Sequence, residues 1–165
     1  MWTIIKLDHK KINLLKEDLR KKIGSQYKIY NPKLIIQKYN KNKLLNKEVN
    51  LLGDYIFCYH SKFCENSTLN NLKYLRGLKY FLDGFVSSQN EIQEFIKKCK
   101  KLEDKKGFIS TNLFEIHLNT YYKFSSGPFV EKFFKIIELQ KNKINILMGN
   151  IKTTIKKKEF LFNPV

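Results

Sequence analysis

Gly53-Asp54-Tyr55-Ile56-Phe57-Cys58-Tyr59-His60 is the stretch around which the rest of the chain organises. A glycine–aspartate turn leads into a run of bulky residues, and an extended chain sends successive side chains to opposite faces. Tyr55, Phe57 and Tyr59 therefore share one face and Ile56, Cys58 and His60 the other, so one set can fill a core while the other stays open to a partner. Outward toward the N-terminus, Trp2-Thr3-Ile4-Ile5-Lys6-Leu7 is a second β-rich run. After it, Asp8 is placed to cap a helix in which Ile12, Leu15, Leu19 and Ile23 form one apolar stripe, stopped by Gly24. Leu34–Tyr39 and residues 44–50 read as strands around an Asn40-Lys41-Asn42-Lys43 turn. Outward toward the C-terminus, Ser67 or Thr68 can cap a short helix through Leu75, and Leu78–Leu82 reads as a strand. Ser88-Gln89-Asn90-Glu91 is a capping box that opens a helix with Ile92, Phe95, Ile96, Cys99 and Leu102 on one face.

Asp104-Lys105-Lys106-Gly107 has no apolar member and marks the expected boundary between a domain over 1–104 and one over 105–165, with a short linker at about 104–110. Beyond it, Tyr121–Ser126, Lys132–Leu139, Ile144–Met148, Ile151–Lys156 and Glu159–Phe162 are short extended runs at the spacing of a small all-β barrel. Val130, Phe133, Phe134, Ile137, Ile144 and Leu147 also fit a helical stripe, so a helical form is the alternative to the barrel. The expected class is α+β: an antiparallel sheet flanked by helices, then a small β-barrel.

The 165 residues are 42% hydrophobic and carry a net charge of +17. That apolar share is enough to order one or two small domains. The chain has no apolar run of about 18 residues and no signal-peptide pattern, so a soluble, cytoplasmic protein without a membrane partner is expected. Cys58, Cys64 and Cys99 form an odd set without a CxxC pair, and His9, His60 and His117 are too few for an obvious zinc site. Cys58 and Cys99 are expected as packed thiols, with no metal and no cofactor. Only Arg20 and Arg76 are arginines among 32 basic residues. Lysine, asparagine and isoleucine bias of this kind is that of an AT-rich genome, yet the resulting field still attracts polyanions. There is no P-loop and no GxGxxG, and Cys58 and His60 share a strand face without a third group to orient them, so no enzyme is expected.

In order and spacing, several segments together resemble the NusG family of transcription elongation factors. They are the Trp2 strand with its helix, Gly53-Asp54-Tyr55-Ile56-Phe57, Leu75-Arg76-Gly77-Leu78-Lys79-Tyr80-Phe81, the Ser88–Leu102 helix, Lys123-Phe124-Ser125-Ser126-Gly127-Pro128-Phe129 and Leu147-Met148-Gly149-Asn150. The resemblance spans residue 2 to about 163. It implies an NGN-type domain over 1–104 and a KOW-type, SH3-like barrel over 105–165. Leu52-Gly53 stands where the family commonly has Phe-Pro, Phe133-Phe134 where a second glycine is expected, and Asn150 where an arginine is expected. These departures resemble a specialised, RfaH-like paralogue, in which the second domain can also be held as a helical hairpin.

The resemblance implies a monomeric transcription elongation or antitermination factor that grips the clamp helices of RNA polymerase through Tyr55, Phe57 and Trp2. Two aromatics on one strand face make a rigid anchor of the kind that dominates interfaces, although they equally suit a core. It also implies that Thr68, Asn70, Asn71, Lys73 and Arg76 meet non-template DNA or nascent RNA. Asparagine both donates and accepts, and the guanidinium fork suits phosphate or a base edge; a salt-bridged arginine beside a capped surface helix is the plainer reading of Arg76. Gly127 and Phe129 are implied to meet a ribosomal protein or termination factor, with core filling as the alternative for Phe129. The rival for the whole chain is a general RNA- or ribosome-binding basic protein, since a basic sheet bearing tyrosines also suits RNA.

Overall fold

Period-two burial in Trp2–Leu7 is the signature of a strand with one face against a core: Thr3, Ile5 and Leu7 are buried and Trp2, Ile4 and Lys6 half-buried. The computed structural model describes residues 1–41, 43–109 and 115–165. Asn42 of the expected turn and residue 110 of the expected linker lie outside them. The chain divides into two compact units, Met1–Pro32 with Asn50–Lys101, and Lys33–Val49 with Leu102–Val165.

Its elements run β1 (Trp2–Leu7), α1 (Ile12–Ile23), β2 (Lys28–Tyr30), β3 (Lys33–Asn40), β4 (Lys43–Asn50), β5 (Tyr55–Tyr59), α2 (Asn66–Leu72), β6 (Leu78–Phe81) and α3 (Gln89–Leu102). They continue with β7 (Phe108–Ile109), β8 (Tyr121–Phe124), β9 (Phe133–Leu139), β10 (Lys143–Met148), β11 (Ile151–Lys156) and β12 (Phe162–Pro164).

The first unit is a four-stranded antiparallel sheet in the order β2-β5-β1-β6. On one face Ile5, Leu7, Ile56 and Cys58 pack with Leu15 and Leu19 of α1 and with Phe63 and Leu72. On the other, Phe57 packs with Phe85 and with Ile92 and Ile96 of α3. Helices thus cover both faces, and each fully buried side chain stabilises the fold by about 1.5–3 kcal/mol. Gly24 ends α1 at φ +82°, as its left-handed backbone requires. α2 begins at Asn66, ahead of the Ser67 or Thr68 cap expected from the sequence. The Thr68 hydroxyl donates to the Glu65 carboxylate at 2.9 Å, so that side chain is engaged with Glu65. The expected α3 face is buried at Ile92, Ile96 and Cys99.

The second unit contains a five-stranded antiparallel sheet ordered β11-β10-β9-β8-β12 and a three-stranded sheet ordered β4-β3-β7. Tyr122, Phe124, Phe134, Ile136, Ile144, Ile146 and Phe162 fill its core. Residues 133–139 and 143–148 are strands rather than the alternative helix. Phe134, Ile136, Ile144 and Ile146 alternate inward with period two, which one face of a strand pair buries at once. Among the described residues no helix is long and apolar enough to cross a membrane.

Candidate functional site

α3 crosses the sheet face that carries Phe57 and leaves a gap beside it. Ile4 of β1, Tyr55 and Phe57 of β5, Leu52, Leu82, and Ser88, Glu91, Ile92 and Phe95 enclose a hollow of about 540 Å³. Phe57 is only 3% exposed, with the Phe95 ring 5.8 Å from its own, so it forms the floor of the hollow. Tyr55 is half-buried and Leu82 is 37% exposed. The face that alternation leaves open is therefore split: its middle is closed by α3, and its Tyr55 end remains accessible. Glu91 is the one charged residue in this lining.

Beside the hollow, strand register brings three side chains into a row. Lys6 is the cross-strand partner of Tyr55 on β5 and of Tyr80 on β6. Its Nζ lies 5.3 Å from the centre of the Tyr55 ring and 5.6 Å from that of Tyr80, within cation–π range. The two phenol oxygens are 2.9 Å apart. Hydrogen bonding to Tyr55 raises the Lys6 pKa, and hydrogen bonding with Tyr80 lowers that of Tyr55. The row keeps a positive charge and two aromatic faces at the end of the apolar hollow. Lys6, Tyr80, Ile4, Leu52 and Phe95 were not candidates from the sequence, because only cross-strand register and the path of α3 bring them together.

Trp2 lies elsewhere. It lines a separate groove of about 690 Å³ with Gln93, Lys97, Lys100 and Lys101 along α3. Its ring packs on Tyr59 at 5.3 Å, and its backbone N–H donates to the Gln89 side-chain oxygen while its carbonyl accepts from the Gln89 amide. The structure thus brings Tyr55 and Phe57 to one hollow and gives Trp2 to another.

On α2 and the turn after it, Asn70, Asn71 and Lys73 are exposed and Thr68 is half-buried. Tyr74, 93% exposed, stands next to them in the chain. Arg76 is engaged: its Nε and Nη2 donate to the Asp18 carboxylate at 3.0 and 2.6 Å, and its backbone N–H donates to the same carboxylate at 3.1 Å. Those bonds hold the Asp18 carboxyl down to about 2. The fork ties the turn after α2 to α1, in the geometry a bidentate carboxylate requires.

In the second unit the Gly127 N–H donates to the Gln37 side-chain oxygen at 2.6 Å, and the Gln37 N–H donates to the Ser125 carbonyl at 2.8 Å. Phe129 is half-buried, with its ring 5.7 Å from Phe124 and 6.2 Å from Phe160. Cys58 and Cys99 are fully buried, and burial pushes the Cys58 thiol up to about 12, while Cys64 is exposed.

No protein-family model matches the chain, and no curated protein does. Among solved structures, the crystal structure of the MjSpt4:Spt5 complex in conformation B aligns with all of this chain and 98% of its own, at 14% identity and a TM-score of 0.33. Conformation A of the same complex aligns with 99% of each chain at 13% identity and a TM-score of 0.32. A structure describing domain interaction in Thermotoga maritima NusG covers 94% of this chain and 91% of its own, at 14% identity and a TM-score of 0.33. With identity and superposition this low, the α+β architecture rests on the chain's own strand pairing and helix packing.

Proposed function

We propose that the chain is a transcription elongation or antitermination factor, with its NGN-type part within residues 1–104, apart from Lys33–Val49, which fall in the second unit, and its KOW-type part in 105–165. The observation that carries this reading is the hollow of about 540 Å³ walled by Ile4, Leu52, Tyr55, Phe57, Leu82, Ile92 and Phe95. An open, aromatic-floored groove of this kind accepts the apolar face of a partner helix, and the resemblance of the sequence to NusG-type factors supports the RNA polymerase clamp helices as that partner. Thr68, Asn70, Asn71 and Lys73 then face non-template DNA or nascent RNA, with Arg76 positioning their turn through Asp18. Gly127 and Phe129 lie on the loop that meets a ribosomal protein or termination factor.

The test is retention of RNA polymerase by the full-length chain. Tyr55→Ala with Leu82→Glu places a charge at the rim and leaves the Phe57 floor intact. We expect polymerase retention to fall at least tenfold while the circular dichroism melt stays within a few degrees of wild type. Undiminished retention by the folded double variant overturns the reading.

A further inference from the structure

The outer face of the five-stranded sheet carries an ordered pattern that the proposed polymerase contact does not use. Tyr122 and Phe124 of β8 and Phe134 of β9 point inward, so Tyr121, Lys123, Phe133 and Lys135 point out. Register pairs Tyr121 with Lys135 and Lys123 with Phe133. Rings and ammonium groups therefore alternate like the squares of a board. The Lys123 Nζ sits 5.4 Å from the centre of the Phe133 ring, and the Lys135 Nζ 6.0 Å from that of Tyr121. Both rings are open to solvent, Tyr121 at 57% and Phe133 at 53% exposure. They occupy diagonal positions, whose backbones stand roughly 7–8 Å apart on an antiparallel pair. Continuing the Tyr121–Lys135 row across the sheet, Leu147 of β10 pairs with Lys135 and Lys152 of β11 with Leu147, which adds a third lysine. The acid on this face of β9, Glu138, is engaged by the Asn145 amide.

We propose that this face binds a single-stranded polynucleotide, with two bases stacked on Tyr121 and Phe133 and the backbone phosphates held by Lys123, Lys135 and Lys152. Every base has a π-face, so two exposed rings with lysines between them suit unpaired bases without sequence preference. The bases of a duplex are stacked inside it and cannot reach the rings. The chain's charge of +17 supplies the long-range attraction, and release of counterions makes the binding salt-dependent. The proposal is independent of the polymerase reading, which concerns the other unit.

Fluorescence anisotropy of the full-length chain with labelled twelve-nucleotide oligouridine, oligothymidine and a duplex of equal length tests it. We expect both single strands to bind at least tenfold more tightly than the duplex, and the affinity to fall steeply with salt. Y121A/F133A should weaken single-strand binding at least tenfold, while Y121F, which keeps the ring, should bind like wild type. Should Y121A/F133A fail to fold, Y121W serves instead: its emission should be quenched on adding oligouridine. Full binding by the folded double variant, an unquenched Y121W, or preference for duplex overturns the proposal. So does loss of a homodimer, rather than of oligonucleotide binding, on removing the two rings.

Discussion

In the first unit, Tyr55 and Tyr80 join hydroxyls at 2.9 Å on either side of Lys6, at the lip of an apolar hollow. In the second, Tyr121 and Phe133 stand apart, each paired across the strands with its own lysine. The ingredients are the same, tyrosine or phenylalanine beside lysine, and the surfaces they make are not. A helix lies over the first sheet's face, so what stays open there is a concavity with an apolar floor. The outer face of β8 and β9 keeps its rings in solvent, so what stays open is a flat, charged platform. A concavity selects for shape and apolar area, whereas a platform selects for stacking and charge.

The largest expected effect separates the two cores. Phe124 is 1% exposed, with the rings of Phe129, Phe134, Phe160 and Phe162 all within 6.4 Å. Phe124→Ala should cost about 3–5 kcal/mol in urea unfolding, and Phe57→Ala about 3 kcal/mol, at the low end of that range, because Phe57 already borders an open hollow. An equal or greater loss at Phe57 would show that the floor is packed as densely as the second core. For the same reason Phe57→Ala is a poor probe of the proposed polymerase contact, and Tyr55 is the cleaner one.

A smaller effect contrasts two glycines with nearly the same backbone, Gly77 at φ +85° and Gly127 at φ +84°. The left-handed conformation alone makes alanine cost about 1–2 kcal/mol at either position. A Cβ on Gly77 would also come within 2.9 Å of the Lys11 backbone oxygen, whereas one on Gly127 would meet the Phe160 side chain. A ring can turn aside more easily than a helix terminus can shift. We expect Gly77→Ala to lower the melting temperature more than Gly127→Ala, and the reverse order would mean that Phe160 is locked in place.

The smallest effect is electrostatic and confined to the first unit. The folded pKa of Asp18 is about 2, below its ordinary 3.8, so the pair with Arg76 contributes fully above pH 3.8 and is lost as pH falls from there toward 2. Wild type should therefore be more stable than Asp18→Asn at pH 6, and the two should converge near pH 2 in thermal melts. Exposure of the Arg76 side chain to solvent keeps the difference small. A gap that persists at pH 2 would place the stabilisation in something other than the carboxylate charge.

Much of the local structure is legible in the residues themselves. The Ile12–Ile23 stripe, the Tyr55–Tyr59 alternation, the Ile92–Cys99 face and the runs at Tyr121–Ser126, Lys132–Leu139, Ile144–Met148 and Ile151–Lys156 each repeat with the period of their element and are formed. Glu159–Phe162 is not a strand, because the Glu159 N–H closes a turn on the Lys156 carbonyl and the last strand is Phe162–Pro164. α2 starts earlier, at Asn66, and the Thr68 hydroxyl donates to Glu65 instead of capping the helix. The hollow was legible only through Tyr55 and Phe57; its other walls come from β1, from α3 and from the segments flanking β5 and β6. Arg76 showed in the sequence as a rare arginine, but nothing local announced its partner 58 positions away.

Period, composition and turn chemistry act over a few residues, so the chain's own order determined its helices, its strands, its strong positive charge and which faces are apolar. Which strand lies beside which, where α3 comes to rest, and hence which tyrosine meets which lysine, follow from contacts between residues far apart in the chain. Gln37 reaching Gly127 across 90 positions is one such contact. Those juxtapositions depend on burying whole faces together, a cooperative requirement that no short window of sequence contains.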